Sequence, residues 1–145
     1  MVSLIIGTHG SFSRELINSA ELIYGKLENV SYITFLHGEG QKDLIDKYNT
    51  IINKLDKNSE ALFLVDLFGG SPFNAASMLS IDNVNMDVVT GVNLPMLLEV
   101  YSNIDNSSLE ELVSIAVNSA QKSICSLKKS IDLNREDDDL LWKLD

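Results

Sequence analysis

Cysteine and long apolar runs are both scarce in this sequence. Cys125 is its single cysteine, so the chain cannot form an internal disulfide. A lone thiol is typical of the reducing cytoplasm, where disulfides are rare. No stretch approaches the roughly 18 to 20 apolar residues that a membrane-spanning helix needs. The first residues, MVSLIIG, form an apolar strand pattern without a basic leader, so we expect no signal peptide and a cytoplasmic protein.

Positively charged residues are also scarce. The chain has 11 lysines and arginines against 21 aspartates and glutamates, a formal net charge of -10. Such a balance argues against nucleic acid or an anionic lipid surface as the main partner, because both are themselves negative. An acidic chain of this kind is better suited to meet a basic protein surface.

Several motifs of well-known chemistry are missing. There is neither a P-loop nor a G-x-G-x-x-G fingerprint, so nothing favours nucleotide binding. The segment GGSPF has proline where the nucleophile elbow of a hydrolase would continue. A zinc site needs three or four ligands, and His9 with Asp66 supplies only two. We therefore expect neither a metal nor a cofactor.

The pattern of apolar residues predicts a single α/β domain. A chain of 145 residues can bury one proper core. Short apolar runs alternate with segments of helical period in the order βαβαβαβαα, which predicts an open, doubly wound parallel sheet with helices on both faces. The four runs are residues 2–6, 30–36, 61–65 and 86–89. We assign residues 1–133 to this domain and residues 134–145 to an acidic tail.

Hydroxyl side chains mark the starts of several helices. Ser13 is predicted to cap the first helix, and Ser71 is placed to cap the third. Ser108 and Glu111 have the spacing of a capping box, for a last helix that we expect to reach about residue 129. The tail beyond it carries an apolar cluster: Leu140, Leu141, Trp142 and Leu144. The sequence leaves two alternatives for this cluster, a frayed tail or packing on the body or on a second subunit, and we expect the second.

Polar segments follow the first, third and fourth strands, at the points where ligands gather in open parallel sheets. They read THG, DLFGGS and GVNLP. If the first and third strands are neighbours, His9 and Asp66 face each other across the crevice at this edge. The convergence of an imidazole and a carboxylate is the main functional signal in the sequence.

The two side chains predict a nucleophilic histidine. A helix N-terminus disfavours added positive charge, so the His9 imidazole should stay neutral there. A hydrogen bond to Asp66 fixes the tautomer and leaves the other ring nitrogen as a nucleophile, whose cationic product the carboxylate stabilises. The groups placed to bind phosphoryl oxygens are the backbone amides of Gly10, Gly69 and Gly70 and the hydroxyl of Ser71.

A purely structural interpretation is open for each of these residues. His9 can be a loop residue without chemistry, Asp66 can cap a turn, and Ser71 can cap its helix. The second histidine, His37, also follows a strand, but no acid comparable to Asp66 can be assigned to it. We interpret His37 as a surface loop residue.

Three segments resemble a known family: IIGTHG, LFLVDLFGGSPFNAA and GVNLPMLLE. Together they are similar, over about residues 1 to 130, to the IIA component of the mannose-family phosphoenolpyruvate-dependent sugar phosphotransferase system. The resemblance implies that His9 is the phosphorylated histidine of the family and that Asp66 is its partnering aspartate. The serine of the family's GGSP segment corresponds to Ser71. It implies a phosphoryl group received from the carrier protein HPr and passed to a IIB component, and through it to sugar uptake by the membrane permease (IIC and IID).

The resemblance also carries expectations about architecture. It implies a homodimer with a four-stranded parallel sheet of order 2-1-3-4 and a further antiparallel edge strand exchanged between subunits. Leu67 departs from the family, where a hydroxyl residue is frequent after the aspartate. Because no linker or IIB domain follows, we expect a free-standing IIA subunit with a separate IIB chain.

Two other functions stay open on the sequence alone. One is the related phosphotransfer subunit of dihydroxyacetone kinase, although GGSPFNAA and GVNLPM favour the sugar system. The other is a non-catalytic, flavodoxin-like module that binds a phosphate-bearing ligand without forming a covalent adduct.

Overall fold

Within residues 1–141 the chain forms four strands and six helices, which alternate as far as the fourth helix. A computed structural model describes the backbone of residues 1–141 and the side chains of residues 1–135. The strands are β1 (Val2–His9), β2 (Val30–Phe35), β3 (Glu60–Val65) and β4 (Met86–Thr90). The helices are α1 (Phe12–Tyr24), α2 (Gln41–Ile52), α3 (Ser71–Ser80), α4 (Leu94–Asn103), α5 (Leu109–Lys122) and α6 (Leu127–Leu141).

The strands form one parallel sheet of order β2-β1-β3-β4, which confirms the predicted fold and strand order. β1 and β3 are the two central strands, and Gly7 lies opposite Val65 in their register. β1 extends to His9, three residues beyond the apolar run, and His9 lies opposite Phe35 of β2. No fifth strand joins the sheet within residues 1–141, so the exchanged edge strand stays a prediction.

A hydrophobic cluster covers each face of the sheet. Leu4 and Ile6 of β1 face the cluster that includes α1, α4 and α5. Ile5, between them, faces the cluster that includes α2 and α3. Because both faces are covered, β1 and β3 are apolar almost throughout, as expected for central parallel strands. The polar ends of these two strands are therefore left at the carboxyl edge.

The start of α1 differs from the sequence prediction. Ser11 occupies the N-cap position and α1 begins at Phe12, so the prediction that Ser13 is the cap was wrong. Ser13 is buried, its amide donates a hydrogen bond to Thr8 Oγ1 at 2.6 Å, and its hydroxyl donates to the carbonyl of Ile33 at 2.7 Å. Thr8 of β1 thus supplies the acceptor that a capping side chain normally provides.

The start of α3 is also shifted by one residue. Gly70 is the N-cap and Ser71 is the first helical residue, so Ser71 does not cap the helix. Gly69, with a φ of +77°, turns the chain into the helix. This backbone conformation favours glycine, which has no Cβ to clash. The Ser71 hydroxyl makes no hydrogen bond to the described part of the chain and is free for another role.

The C-terminal helical region is divided in two. Ser108 and Glu111 form the predicted capping box of α5, but α5 ends at Lys122 and α6 begins at Leu127. The prediction of one helix to about residue 129 was therefore wrong. Residues 134–141 of the acidic tail belong to α6. Trp142 and Leu144 of the tail cluster lie outside the described residues, as do the side chains of its two other leucines.

Replacing Ser108 with alanine should destabilise the protein by about 1 kcal/mol, the usual loss for a capping side chain. The Ser108 hydroxyl accepts a hydrogen bond from the Glu111 amide, and the Glu111 carboxylate accepts one from the Ser108 amide. Chemical denaturation should show the loss in Ser108→Ala. The neighbouring Ser107→Ala, which removes no hydrogen bond recorded among the described residues, serves as the control. Equal midpoints for wild type and Ser108→Ala would contradict the role of the cap.

Candidate functional site

His9 and Asp66 meet at the carboxyl edge of the sheet. Both the backbone amide and the ring Nδ1 of His9 lie within hydrogen-bond distance of one carboxylate oxygen, Asp66 Oδ2, at 2.9 and 3.0 Å. The contact exists because β1 and β3 are adjacent, which places the residue after β3 beside the last residue of β1. The structure therefore brings together the two side chains on which the sequence interpretation depends.

The hydrogen bond to Asp66 selects the tautomer of His9. An ionised carboxylate can only accept hydrogen bonds, so in the neutral imidazole Nδ1 carries the proton and Nε2 keeps the lone pair. Nε2 makes no hydrogen bond to the described residues, and 45% of the His9 side chain is exposed. The ring thus presents Nε2 toward solvent while Asp66 holds Nδ1.

Asp66 is much less exposed than its partner. Only 18% of its side chain is accessible to solvent, and its second oxygen, Oδ1, is buried with no hydrogen-bond donor among the described residues. The carboxylate is consequently held through Oδ2 alone. A buried charge of this kind gains from a cation nearby, because its own hydration is reduced.

The backbone of Gly70 lies against the imidazole. A Cβ at this position would lie 2.7 Å from Cε1 and 3.5 Å from Nε2 of His9. Any side chain here would displace the ring, which is the physical reason for glycine at this position. The first turn of α3 can therefore approach the exposed nitrogen of His9 very closely.

The backbone amides at the site differ in their availability. The Gly10 amide donates to the carbonyl of Phe35 at 2.8 Å, and the Gly70 amide donates to the carbonyl of Leu67 at 3.2 Å. Neither is free in this structure to bind an anion. The amides of Gly69 and Ser71 have no partner among the described residues, so the anion-binding capacity lies mainly at the start of α3.

Phe35 is a site residue that sequence reasoning missed. Its ring packs edge to face against the His9 imidazole, with centroids 5.7 Å apart and planes at 72°. In the sequence it is indistinguishable from any other apolar strand residue. Only the pairing of His9 with Phe35 across β1 and β2 reveals the contact.

Other residues singled out from the sequence lie elsewhere or serve the fold. His37 is exposed in the loop after β2 and makes no hydrogen bond to His9 or Asp66. That loop is held by Glu39, which accepts hydrogen bonds from Lys47 and from the Leu36 amide. The Lys47 hydrogen bond, followed by that of the Leu36 amide, lowers the pKa of Glu39.

The third polar segment, GVNLP, is used to start α4. Asn93 caps this helix by accepting a hydrogen bond from the Met96 amide at 2.9 Å, and its side-chain amide donates to Ser123 Oγ at 3.1 Å. The segment contributes no hydrogen bond to His9 or Asp66. The site is consequently built from the ends of β1 and β3 and the start of α3.

Neither a metal-binding cluster nor a membrane-spanning helix is found among the described residues. Within them no cluster of three or more histidine, cysteine, aspartate or glutamate side chains is placed to hold a metal ion. None of the helices in the same part of the chain has the length and apolar character needed to cross a bilayer.

Comparisons of sequence with known proteins find relatives that cover most of the chain. A family model described as "EIIA-man: PTS system fructose IIA component" matches residues 3–117. The "PTS system mannose-specific EIIAB component" of Escherichia coli K12 is 44% identical over 128 residues, or 88% of this chain, which spans only 40% of that protein. The "PTS system fructose-specific EIIA component" of Bacillus subtilis is 37% identical, and the match covers 87% of this chain and 88% of the relative.

Solved structures of phosphotransferase-system IIA proteins are also similar to this chain. A "phosphotransferase system component EIIA" from Streptococcus agalactiae superposes with a TM-score of 0.82 at 31% identity, covering 89% of this chain and 99% of its own. A "mannose/sorbose specific IIA subunit" from Enterococcus faecalis superposes with a TM-score of 0.79 at 26% identity, covering 86% and 93%. The similarity extends over nearly the whole of both solved chains.

Gly70→Ala should move the His9 ring without unfolding the protein. The added methyl group overlaps Cε1 of an exposed, rotatable side chain, so the ring can move away but loses its hydrogen bond to Asp66. Nitrogen-15 NMR of the imidazole should show a mixture of tautomers in place of one dominated by Nδ1–H. Gly40→Ala, where the nearest atom to a Cβ is 3.9 Å away, serves as the control. An unchanged imidazole spectrum in Gly70→Ala would refute the close approach.

Proposed function

The chain belongs to the EIIA-man family of phosphotransferase-system IIA components, and on this premise we propose that it is a phosphocarrier that takes a phosphoryl group on His9. The group comes from the phosphohistidine of HPr and passes to a IIB component. The observation that carries the proposal is the hydrogen bond from Nδ1 to Asp66, which leaves Nε2 exposed with its lone pair.

The reaction is a transfer of one phosphoryl group between two imidazoles. The Nε2 lone pair of His9 attacks phosphorus, the N–P bond of the donor breaks, and the donor nitrogen recovers its electron pair. His9 keeps its proton on Nδ1 and becomes a phosphorylated imidazolium. Asp66 stabilises the positive charge that develops on the ring, and reversal of the same steps hands the group to the acceptor.

The start of α3 is the proposed cradle for the transferred group. The free amides of Gly69 and Ser71 and the Ser71 hydroxyl lie in the turn whose Gly70 touches the imidazole. Donors at a helix N-terminus are suited to bind phosphoryl oxygens. Gly10 and Gly70 can contribute their amides only if their present hydrogen bonds open, so we assign these two residues mainly to the shape of the site.

The proposed partners are those of a sugar phosphotransferase system. HPr is the donor, a IIB component the acceptor, and the membrane permease (IIC and IID) the final user of the phosphoryl group. This chain would exchange phosphoryl groups with them in the cytoplasm. The curated relatives named above are specific for mannose and fructose by their descriptions, and the sugar served by this chain is one of the same broad class. A homodimer stays a prediction of the family resemblance.

Two competing functions make different predictions. A flavodoxin-like binding module would hold phosphate without a covalent bond to histidine, and a subunit of dihydroxyacetone kinase would pass the phosphoryl group to a soluble kinase. Family membership favours the sugar system over both. Adding a IIB component to the phosphorylated protein distinguishes these functions, because only the proposed carrier transfers its phosphoryl group to IIB.

His9→Ala should abolish phosphorylation. Incubation with phosphoenolpyruvate, enzyme I and HPr should add one phosphoryl group to the wild-type protein, seen by intact-mass measurement, and the adduct should be labile in acid and stable in alkali. His37→Ala removes the other histidine of the chain and should be labelled like the wild type. Labelling that persists in His9→Ala would exclude His9 as the acceptor.

Asp66→Asn should slow the transfer at least about tenfold, because the amide keeps the shape of the carboxylate but loses the charge that opposes the imidazolium. Rapid-quench measurement of labelling from phospho-HPr gives the rate. Asp82→Asn makes the same change of charge at the exposed residue beyond the opposite end of α3 and serves as the control. Equal rates in Asp66→Asn and Asp82→Asn would show that Asp66 has no role beyond the net charge.

A further inference from the structure

A buried tyrosine hydroxyl lies beneath the site and has no role in the transfer described above. Tyr48 of α2 is completely buried, and its hydroxyl donates a hydrogen bond to the carbonyl of Pro72 at 3.1 Å. Pro72 is in the first turn of α3, directly after Gly70 and Ser71. One side chain from α2 thus holds the turn that we propose as the phosphoryl cradle.

The same hydroxyl also touches β1. A Cβ on Gly7 would collide with the Tyr48 hydroxyl, so the ring tip lies directly against the backbone of this strand. Gly7 is two residues before His9, and it pairs with Val65, the residue that precedes Asp66. The hydroxyl therefore sits where β1, β3 and the start of α3 come together.

Packing alone does not account for the hydroxyl. The Tyr48 ring packs edge to face on Phe63, with centroids 5.2 Å apart, inside the cluster that includes α2 and α3. A phenylalanine would make the same ring contact without burying a polar group. A buried hydroxyl destabilises a protein unless it is hydrogen-bonded. The bond with Pro72 is therefore the contribution of Tyr48 that phenylalanine could not make.

Asp66 lies close enough to influence this hydroxyl. Burial, and after it the charge of Asp66, raises the pKa of Tyr48 well above its ordinary value. Tyr48 therefore stays a neutral donor throughout the physiological pH range. The buried Oδ1 of Asp66 has no hydrogen-bond donor of its own among the described residues.

We propose that Tyr48 is a positioning residue for phosphoryl transfer, and this inference rests on the function proposed above. Through Pro72 its hydroxyl fixes the first turn of α3 against β1. The distance of Gly70 and Ser71 from His9 Nε2 is thereby set before the phosphoryl group arrives. Because the bond lies entirely within the protein, it acts on the geometry of the reacting groups and not on the binding of HPr.

Tyr48→Phe tests this role by removing one oxygen atom and keeping the ring. The transfer rate from saturating phospho-HPr should fall about tenfold or more, because a displacement of the reacting groups by up to about 1 Å slows a reaction strongly. The concentration of phospho-HPr that gives half the maximal rate should not change. Measurements are made well below the melting temperature of each variant, so that both proteins are folded.

Ser80→Ala is the matched control. Ser80 is also buried on α3, and its hydroxyl donates to the carbonyl of Ala76 at 2.8 Å, at the end of the helix away from the site. This variant also loses one buried hydroxyl bonded to an α3 carbonyl, but it should transfer at the wild-type rate. A wild-type rate in Tyr48→Phe, or equal slowing in both variants, would overturn the proposal.

A second measurement is independent of phosphoryl transfer. Nitrogen-15 NMR of unphosphorylated protein should show that Tyr48→Phe changes the His9 imidazole signals and the amide signals of Ser71, whereas Ser80→Ala leaves both in place. Unchanged signals in Tyr48→Phe would overturn the positioning role. If the wild type itself accepts no phosphoryl group, the proposed function fails, and the NMR comparison still decides whether Tyr48 orders the site.

Discussion

The site depends on one oxygen atom. Asp66 Oδ2 accepts hydrogen bonds from both the backbone amide and the imidazole of His9, at 2.9 and 3.0 Å. The first bond ties the end of β1 to the residue after β3, and the second orients the ring on this fixed backbone. Because one acceptor serves both donors, the tautomer of His9 is coupled to the alignment of the two central strands.

The fold supplies this alignment through burial on both faces of the sheet. β1 and β3 lie between two hydrophobic clusters, so neither strand can shift its register without exposing apolar side chains. The exposed Nε2 of His9 then lies at the edge of this packed core. At this edge the proposed phosphoryl transfer requires no rearrangement of the core.

Hydroxyl side chains just beneath the edge connect the helices to the strands. Thr8 accepts from the amide of Ser13 to start α1, and Ser13 in turn binds the carbonyl of Ile33 in β2. Tyr48 of α2 donates a hydrogen bond to the carbonyl of Pro72 in the first turn of α3. The Ser13–Ile33 and Tyr48–Pro72 bonds join residues that are 20 and 24 positions apart in the sequence. Thr8 and Ser13 are five positions apart, and their bond takes the place of a capping side chain at the start of α1. The two helix starts beside His9 are therefore positioned by the sheet and its packing.

The sequence by itself determined the order of strands and helices as far as α5, the layered α/β class and the two residues at the strand ends, because these follow from local periodicity and from polar residues that interrupt it. The capping box at Ser108 was predictable for the same reason, since its partners are three residues apart. Tertiary structure decided what depends on distant partners. Only the adjacency of β1 and β3 joins His9 to Asp66, and only packing across strands brings Phe35 and Tyr48 to the site. At the start of a helix, a hydroxyl side chain can bond either to a local backbone group or to a distant one. The local sequence pattern does not indicate which of the two bonds forms.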